Sequence, residues 1–202
     1  MDISTGIDDR PRRLVLASTS VYRKQLLDRL GLPFEAHPPN CDEEAPQYAS
    51  LSPLELSRSL AKAKAESLLA GHPDAVILGS DQVCAAGERK LGKPGSLEGA
   101  METLALLQGR THELITSVCV LSKGEITVHT DRTKLTMHAL NREQIRRYVA
   151  ADRPVDCAGA YKFESHGIRL FRAIECRDES AIMGLPLMAL SAILSERGFP
   201  LP

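Results

Sequence analysis

The sequence has almost no excess of charge of either sign. Its 202 residues include 25 lysines and arginines and 26 aspartates and glutamates, which leaves a formal net charge of −1. A general polyanion binder carries a clear basic excess, so we do not expect long nucleic acid as a partner. With 43% hydrophobic residues, the chain is predicted to be globular, with one core or two closely joined lobes.

Paired cysteines and long apolar runs are also missing. The five cysteines are an odd number and no two have C-x-x-C spacing, so neither a zinc site nor a disulfide framework is indicated. Free thiols in a cytoplasmic protein are the simplest interpretation. No apolar run approaches the roughly 20 residues that span a membrane, and the N-terminal segment lacks the apolar stretch of a signal peptide, so no membrane contact is expected. Residues 1–12 are predicted to be a flexible tail, and residues 13–202 one domain.

Short apolar segments alternate with amphipathic ones, which predicts an α/β protein. The segment that begins with Ser52, Pro53 and Glu55 has the signature of a capping box and opens a helix that runs to Gly71. The other predicted elements are a strand at 14–17, a helix at about 21–30, a loop at 33–51, a strand at 75–85 interrupted at 79–82, a helix from 96 to about 109, a hairpin around 123–124, a helix from 141 to about 151, a strand at 167–175 and a helix that ends at 198.

The first predicted strand ends in three small hydroxyl residues, Ser18, Thr19 and Ser20, and Arg23 follows in the first turn of a helix. Free amide groups at a helix N-terminus bind anions, and the guanidinium fork of arginine suits phosphate oxygens. This segment is therefore a candidate phosphate cradle, although the P-loop motif is absent. The alternative is an ordinary serine N-cap beside a solvated arginine.

Several charged residues are candidates for chemistry. Asp81 interrupts an apolar strand, where a carboxylate is either exposed at a bend or held in a site that binds a cation or takes a proton from water. The acidic segment at 42–44 could supply further oxygen ligands, although such loops are usually solvated. Lys62 and Lys64 are two residues apart on a helix, so at most one is expected to face a site. Lys93 is a further candidate for phosphate binding.

Together these segments resemble the Maf family of nucleoside triphosphate pyrophosphatases. The matching stretches include LVLASTSVYRKQLLDRLGLPFE, CDEE, LAKAKAESL, ILGSDQV, LGKP, LQGRTHELIT, YVAADRPVDCAGAYKFESHG and GLPLMAL, in the family's order between residues 14 and 194. The resemblance implies a mixed twisted sheet with flanking helices and two lobes around a cleft, similar to the inosine triphosphate pyrophosphatases. It also implies cleavage between the α- and β-phosphates and a homodimeric Maf-like catalytic domain.

The resemblance assigns roles to individual residues and implies a divalent cation, Mg²⁺ or Mn²⁺. Asp81 matches the family's proposed proton acceptor, and Glu43 and Asp81 are the expected metal ligands. The positions that match the phosphate-holding loop and the other polar residues of the site are Ser18, Ser20, Arg23, Glu43, Lys64 and Lys93.

Three further positions resemble the branch of the family that acts on 7-methyl-GTP. Tyr22, Gln82 and Glu164 stand where that branch has an aromatic residue, a glutamine and a glutamate. A guanine methylated at N7 is cationic and stacks well on an aromatic face, and a carboxylate accepts from both donors on the guanine edge. These three residues are therefore predicted to bind the base.

Two other functions stay open at this point. The first is hydrolysis of dTTP and UTP, the activity of the branch that has arginine, threonine and glutamine at those three positions. The second is a non-catalytic regulator of septum formation or cell division. A pure binding module would have no need of Asp81, which favours an enzyme.

Overall fold

The computed structural model describes residues 12–201, so all of the predicted tail except Arg12 lies outside the described residues. Within this range the chain forms one mixed sheet of seven strands. The strands are β1 (Leu14–Ala17), β2 (Glu35–His37), β3 (Val76–Ala86), β4 (Arg89–Leu91), β5 (Thr111–Ser122), β6 (Glu125–Met137) and β7 (Phe171–Glu175). Their order is β2-β1-β3-β5-β6-β7, with β4 paired to the end of β3. Strand β1 pairs in parallel with both of its neighbours, β2 and β3, and all the other strand pairs are antiparallel.

Helices flank this sheet. They are α1 (Val21–Asp28), α2 (Pro53–Glu66), α3 (Leu97–Leu107), α4 (Arg142–Asp152), α5 (Glu179–Ile182) and α6 (Leu187–Glu196). Ser52 and Asn141 cap α2 and α4 in complete capping boxes. None of the helices in residues 12–201 has the length and apolar character needed to cross a membrane. The predicted α/β class with a mixed sheet is confirmed.

The long strands β3, β5 and β6 join two lobes. In the first lobe, residues 76–79 of β3 pair with β1, and leucines of α1 and α6 pack on one face of the sheet while alanines of α2 pack on the other. In the second lobe, residues 84–86 of β3 pair with β4, and a separate apolar cluster packs against α3 and α4. Residues 80–83 lie between the two cores, which places the middle of β3 at the boundary of the lobes.

The predicted interruption of β3 at Gly79–Gln82 is wrong. The strand is continuous over 11 residues, and each of these four residues pairs with β5, from Gly79 opposite Cys119 to Gln82 opposite Thr116. Polar residues are tolerated here because their side chains have partners: Ser80 donates to the Gly184 carbonyl, and Asp81 accepts from a lysine of α2.

Other boundaries also differ from the sequence prediction. The predicted loop at 33–51 contains β2 and a 3₁₀ turn at Pro46–Tyr48, and the predicted strand at 167–175 begins as a 3₁₀ turn at His166–Leu170. The helix expected to run to Gly71 ends at Glu66, and α5 was not predicted at all. Elements of three to five residues have too few positions to show a period, so only their tertiary partners reveal them.

Gly79 sets the distance between α2 and β3. A Cβ atom at this position would lie 2.1 Å from the carbonyl oxygen of Ala61 and 2.6 Å from the backbone nitrogen of Ala65. Both atoms belong to the backbone of α2, which cannot move aside without moving the whole helix. Glycine therefore allows α2 to lie directly on the strand that carries Asp81.

We predict that Gly79→Ala lowers the free energy of unfolding by about 1–3 kcal/mol, because the methyl group overpacks the contact between α2 and β3. The measurement is equilibrium urea denaturation. Gly71→Ala is the matched control, because its Cβ would meet only the Leu68 carbonyl oxygen, at 3.8 Å. Equal stability of the Gly79 variant and the wild type would contradict this packing.

Candidate active site

A cleft of about 1080 Å³ lies between the lobes. Its walls come from the β1–α1 segment, the 39–44 segment, α2, the middle of β3, the 90–93 segment and residues 156–164 and 182–184. The structure brings all the residues that the sequence singled out for the site to this cleft. They are Ser18, Ser20, Tyr22, Arg23, Glu43, Lys64, Asp81, Gln82, Lys93 and Glu164.

Lys64 lies at the centre of the cleft's charged groups. Its Nζ atom is 2.7 Å from Oδ1 of Asp81 and 2.8 Å from Oε2 of Glu43, and only 6% of its side chain is exposed. A buried ammonium needs such partners because removing it from water is costly. Lys62 instead lies on the solvent side of α2 and pairs with Glu66 at 3.6 Å.

The N-terminus of α1 offers hydrogen-bond donors to the cleft. Ser18 Oγ accepts from the Ser20 amide at 3.1 Å, and Ser20 Oγ caps the helix by accepting from the Arg23 amide at 3.4 Å. Among the described residues, no acceptor engages the backbone N–H groups of Val21 and Tyr22. Together with the helix dipole, these amides are suited to an anion.

Arg23 adds a fixed positive charge beside those amides. Its Nε atom donates to the Gly184 carbonyl at 3.0 Å, which orients the guanidinium group. Burial lowers the pKa of Arg23, while the nearby carboxylates of Asp81 and Glu43 act in the opposite direction. Because an arginine titrates far above neutrality, the group remains a cation that can hold phosphate oxygens.

The side chain of Gln82 connects β3 to α5, a structural role that its position in the sequence did not indicate. Its amide nitrogen lies 2.9 Å from Thr116 Oγ1, 2.9 Å from the Ala181 carbonyl and 3.0 Å from the Ile182 carbonyl. These contacts attach the end of α5 to β3. The amide donors are thereby used within the protein, which leaves only the side-chain oxygen of Gln82 to meet a ligand.

A smaller pocket of about 180 Å³ shares part of its wall with the cleft. Two of the three predicted base-binding residues, Tyr22 and Glu164, line it, whereas Gln82 does not. Burial, and after it the neighbouring Cys157, raises the pKa of Tyr22, with Lys162 opposing, so the phenol is neutral near pH 7. We call this space the side pocket. Its lining is Tyr22, Gln25, Leu26, Arg29, Glu164 and Met183.

The turn that carries Glu164 is held by Asp152, a buried residue that the sequence analysis missed. Oδ2 of Asp152 accepts from the His166 amide and Oδ1 accepts from Ser165 Oγ, both at 3.1 Å. The Lys162 carbonyl accepts from the amides of Ser165 and Gly167 and closes the turn. An acidic residue in the last turn of a helix interacts unfavourably with the helix dipole. The position of Asp152 at the end of a predicted helix is therefore the sequence feature that indicates another interaction for this side chain.

The two predicted metal ligands meet at the same ammonium group. Glu43 and Asp81 each direct one carboxylate oxygen to Lys64 Nζ, which leaves the second oxygen of each for other contacts. Carboxylate oxygens are the donors that Mg²⁺ and Mn²⁺ prefer. The donor set would therefore be compatible with a divalent cation.

Helix amides, an oriented arginine, a buried lysine and two carboxylates line one cleft, and this combination is typical of α/β proteins whose site is suited to a small phosphorylated ligand. Comparison with known proteins specifies the class further. The family model described as "Maf-like protein" matches residues 13–197, so the chain belongs to the Maf family.

Relatives with assigned names are similar over nearly the whole chain. A protein of Bdellovibrio bacteriovorus named 7-methyl-GTP pyrophosphatase is 46% identical over 183 residues, which is 91% of this chain and 96% of that protein. A protein of Pseudomonas putida with the same name is 41% identical over 191 residues, 94% of this chain and 98% of that protein.

The fold is also similar to a solved structure, a HAM1 protein from Coxiella burnetii. The TM-score is 0.51, and the match covers 92% of this chain and 100% of the other. At 14% sequence identity this similarity concerns the fold alone. It agrees with the architecture that the sequence resemblance implied.

We predict that Asp152→Asn loosens the turn at 162–167, because an amide side chain replaces one of the two carboxylate acceptors with a donor. Stability should fall by about 1–3 kcal/mol, and the amides of this turn should exchange hydrogen faster. Urea denaturation and hydrogen-exchange mass spectrometry measure the two effects. The control is Asp28→Asn, at an exposed position of α1. Unchanged exchange at 162–167 would contradict the role of Asp152 in holding this turn.

Proposed function

We propose that this protein is a 7-methyl-GTP pyrophosphatase, which hydrolyses the bond between the α- and β-phosphates to give 7-methyl-GMP and pyrophosphate. The observation that carries the proposal is the side pocket with Tyr22 and Glu164, directly beside the charged cleft around Lys64 and Asp81. The names of the relatives from Bdellovibrio and Pseudomonas support the same substrate.

The triphosphate is expected to lie along the cationic side of the cleft. The helix amides at Val21 and Tyr22 and the guanidinium of Arg23 would hold phosphate oxygens at the start of α1. Lys93, an exposed residue of the cleft wall, would bind the far end of the phosphate chain. Since phosphoryl transfer is catalysed largely by position and electrostatics, we expect these positive groups to contribute to catalysis.

Asp81 is the proposed general base. Its place on a continuous central strand and its 2.7 Å contact with Lys64 fix the carboxylate rigidly at the floor of the cleft. We propose that it takes a proton from a water molecule as the water attacks the α-phosphorus. The P–O bond to the β-phosphate breaks, and pyrophosphate leaves with the electron pair.

Glu43 and Asp81 are the residues that would hold a divalent cation, Mg²⁺ or Mn²⁺. When bound, such a cation supplies charge neutralisation for phosphate oxygens. Lys64 would position both carboxylates before substrate arrives, since it contacts each of them.

The side pocket is the proposed base site. A ring with a delocalised positive charge stacks on the face of Tyr22, an interaction of about 0.5–2 kcal/mol. Glu164 accepts hydrogen bonds from the two adjacent donors of the guanine edge and also compensates the charge that N7-methylation adds. Gln82 contributes indirectly, by attaching the end of α5 that leads to Met183 in the pocket wall.

We also propose a domain organisation, a cellular location and an oligomeric state. Residues 13–202 would act as one catalytic domain in a cytoplasmic enzyme, and two copies would form a homodimer. Size-exclusion chromatography with light scattering tests the last point independently of activity.

The test of the proposal is a product assay with Mg²⁺ or Mn²⁺ against 7-methyl-GTP, GTP, UTP and dTTP, with separate quantification of monophosphate, pyrophosphate and phosphate. Preferential conversion of 7-methyl-GTP with release of pyrophosphate is the expected result. Preference for UTP and dTTP would overturn the proposed base specificity. Binding without turnover of any nucleotide would favour the regulator of septum formation or cell division.

We predict that Asp81→Asn lowers turnover of 7-methyl-GTP by at least about 10²-fold while nucleotide binding is largely retained, because the variant keeps the side-chain shape but loses the proton acceptor. Steady-state kinetics and calorimetric binding measure the two quantities. Asp74→Asn, at an exposed position before β3, is the control. Near-normal turnover of the Asp81 variant would exclude this residue as the base.

We predict that Glu164→Gln lowers kcat/KM for 7-methyl-GTP about 10–100-fold and changes the value for UTP much less, because an amide cannot accept from both guanine donors. The ratio of the two kcat/KM values is the quantity to measure. Glu88→Gln, in the exposed turn between β3 and β4, should leave this ratio unchanged. An unchanged ratio in the Glu164 variant would mean that Glu164 does not bind the base.

A further inference from the structure

A second group of potential metal ligands lies outside the cleft. Glu35, His37 and His72 each place one ligand atom within 4.8 Å of the other two. Glu35 and His37 are two residues apart on β2, so both side chains lie on the same face of the strand. His72 comes from the turn between α2 and β3. None of the three lines the cleft or the side pocket.

The backbone on both sides of this group is fixed. β2 pairs with β1 in parallel, with His37 opposite Ala17. The His72 amide donates to the carbonyls of Leu68 and Leu69, and the His72 carbonyl accepts from the Ala75 amide at 3.1 Å. On this backbone the imidazole rings of His37 and His72 have their centroids 4.8 Å apart. Such a preorganised pair needs little rearrangement to bind an ion.

The carboxylate is oriented by a second interaction. Oε1 of Glu35 accepts from Nε and Nη2 of Arg13, at 3.2 and 2.7 Å, while Oε2 lies 3.2 Å from Nε2 of His37. Arg13 thus occupies one oxygen and leaves the other beside the imidazole. Hydrogen bonds of this kind, to the outer side of a ligand, are a regular feature of protein metal sites.

His72 has a second feature that is relevant to metal binding. Its Nδ1 atom is buried and has no hydrogen-bond partner within residues 12–201. A buried polar atom without a partner costs free energy, and such atoms are uncommon in folded proteins. In the tautomer that carries its proton on Nε2, this Nδ1 atom has a lone pair that a metal ion can use.

We propose that Glu35, His37 and His72 bind a transition-metal ion of the zinc class. Two imidazoles and one carboxylate are a donor set for Zn²⁺ and its neighbours, whereas Mg²⁺ prefers oxygen ligands alone. The site is separate from Glu43 and Asp81 and does not depend on the proposed reaction.

Its position suggests what the ion would do. Residues 38–42 connect His37 to Glu43, and the Asn40 amide donates to Ser67 Oγ near the end of α2. An ion bound between β2 and the turn after α2 would cross-link both ends of this connection. It would hold in place the segment that brings Glu43 to Lys64.

The test is a Zn²⁺ titration of the full chain in excess Mg²⁺, with a chromophoric chelator as competitor and the visible spectrum of the Co²⁺ form as a second readout. The wild type should bind one equivalent, and His37→Ala and His72→Ala should weaken binding by at least about tenfold. His138→Ala, an exposed histidine outside the group, is the matched control and should bind as the wild type does.

A further variant separates the two candidate sites. Asp81→Asn should retain the Zn²⁺ equivalent and the Co²⁺ spectrum. Loss of binding in Asp81→Asn with retention in His37→Ala would place the ion in the cleft and overturn the proposal. Equal affinity of the wild type and both histidine variants, or no binding by the wild type, would overturn it as well.

Discussion

The ammonium group of Lys64 has to be neutralised inside the protein, because its side chain is only 6% exposed. Asp81 and Glu43 provide the two negative charges, and they come from a central strand and from a separate connecting segment. The contact between Lys64 and Asp81 forms only if α2 lies directly on β3. Gly79 permits this close packing because glycine has no Cβ atom. The close approach between α2 and β3 therefore brings Lys64 to Asp81, and the connecting segment adds Glu43 to this pair.

The long strand β3 gives this arrangement its rigidity. It belongs to the first lobe at one end and to the second at the other, so its middle forms the floor of the cleft. Polar residues in a central strand are usually unfavourable, yet here Ser80, Asp81 and Gln82 each have a partner from another element. Full pairing with β5 also holds the backbone of these three residues, so this part of the site is built on the sheet.

In the proposed function, the side pocket recognises the base and the charged cleft handles the phosphates, so the two tasks fall to different residues. Tyr22 comes from the helix whose N-terminus faces the cleft, whereas Glu164 comes from a turn in the other lobe. Asp152 holds this turn from the end of α4, and Gln82 holds the end of α5 beside the pocket. A base in this pocket would contact both lobes, so residues far from the reacting phosphorus can set the substrate preference.

Periodicity and capping residues in the sequence determined the longer elements. The capping boxes at Ser52 and Asn141, the hairpin around Lys123 and the first strand were all predictable, because these signals are local. Residue types nominated only some of the residues that line the cleft, and the resemblance to the Maf family selected the others, among them Tyr22, Gln82 and Glu164. The two-residue spacing of Lys62 and Lys64 was sufficient to place them on different faces of one helix.

Contacts between distant segments decided the rest. Partners more than ten residues away determine the continuity of β3 and the existence of β2 and α5. The same is true of the hydrogen bonds of Asp152 to the turn at 162–167 and of those of Gln82 to α5. A strand of three residues has no readable period, and a polar residue in a strand looks like a break until its partner is known. The sequence by itself determined which side chains were available, whereas the tertiary structure decided which of them meet, because hydrogen bonds and ion pairs form by distance in space and not along the chain.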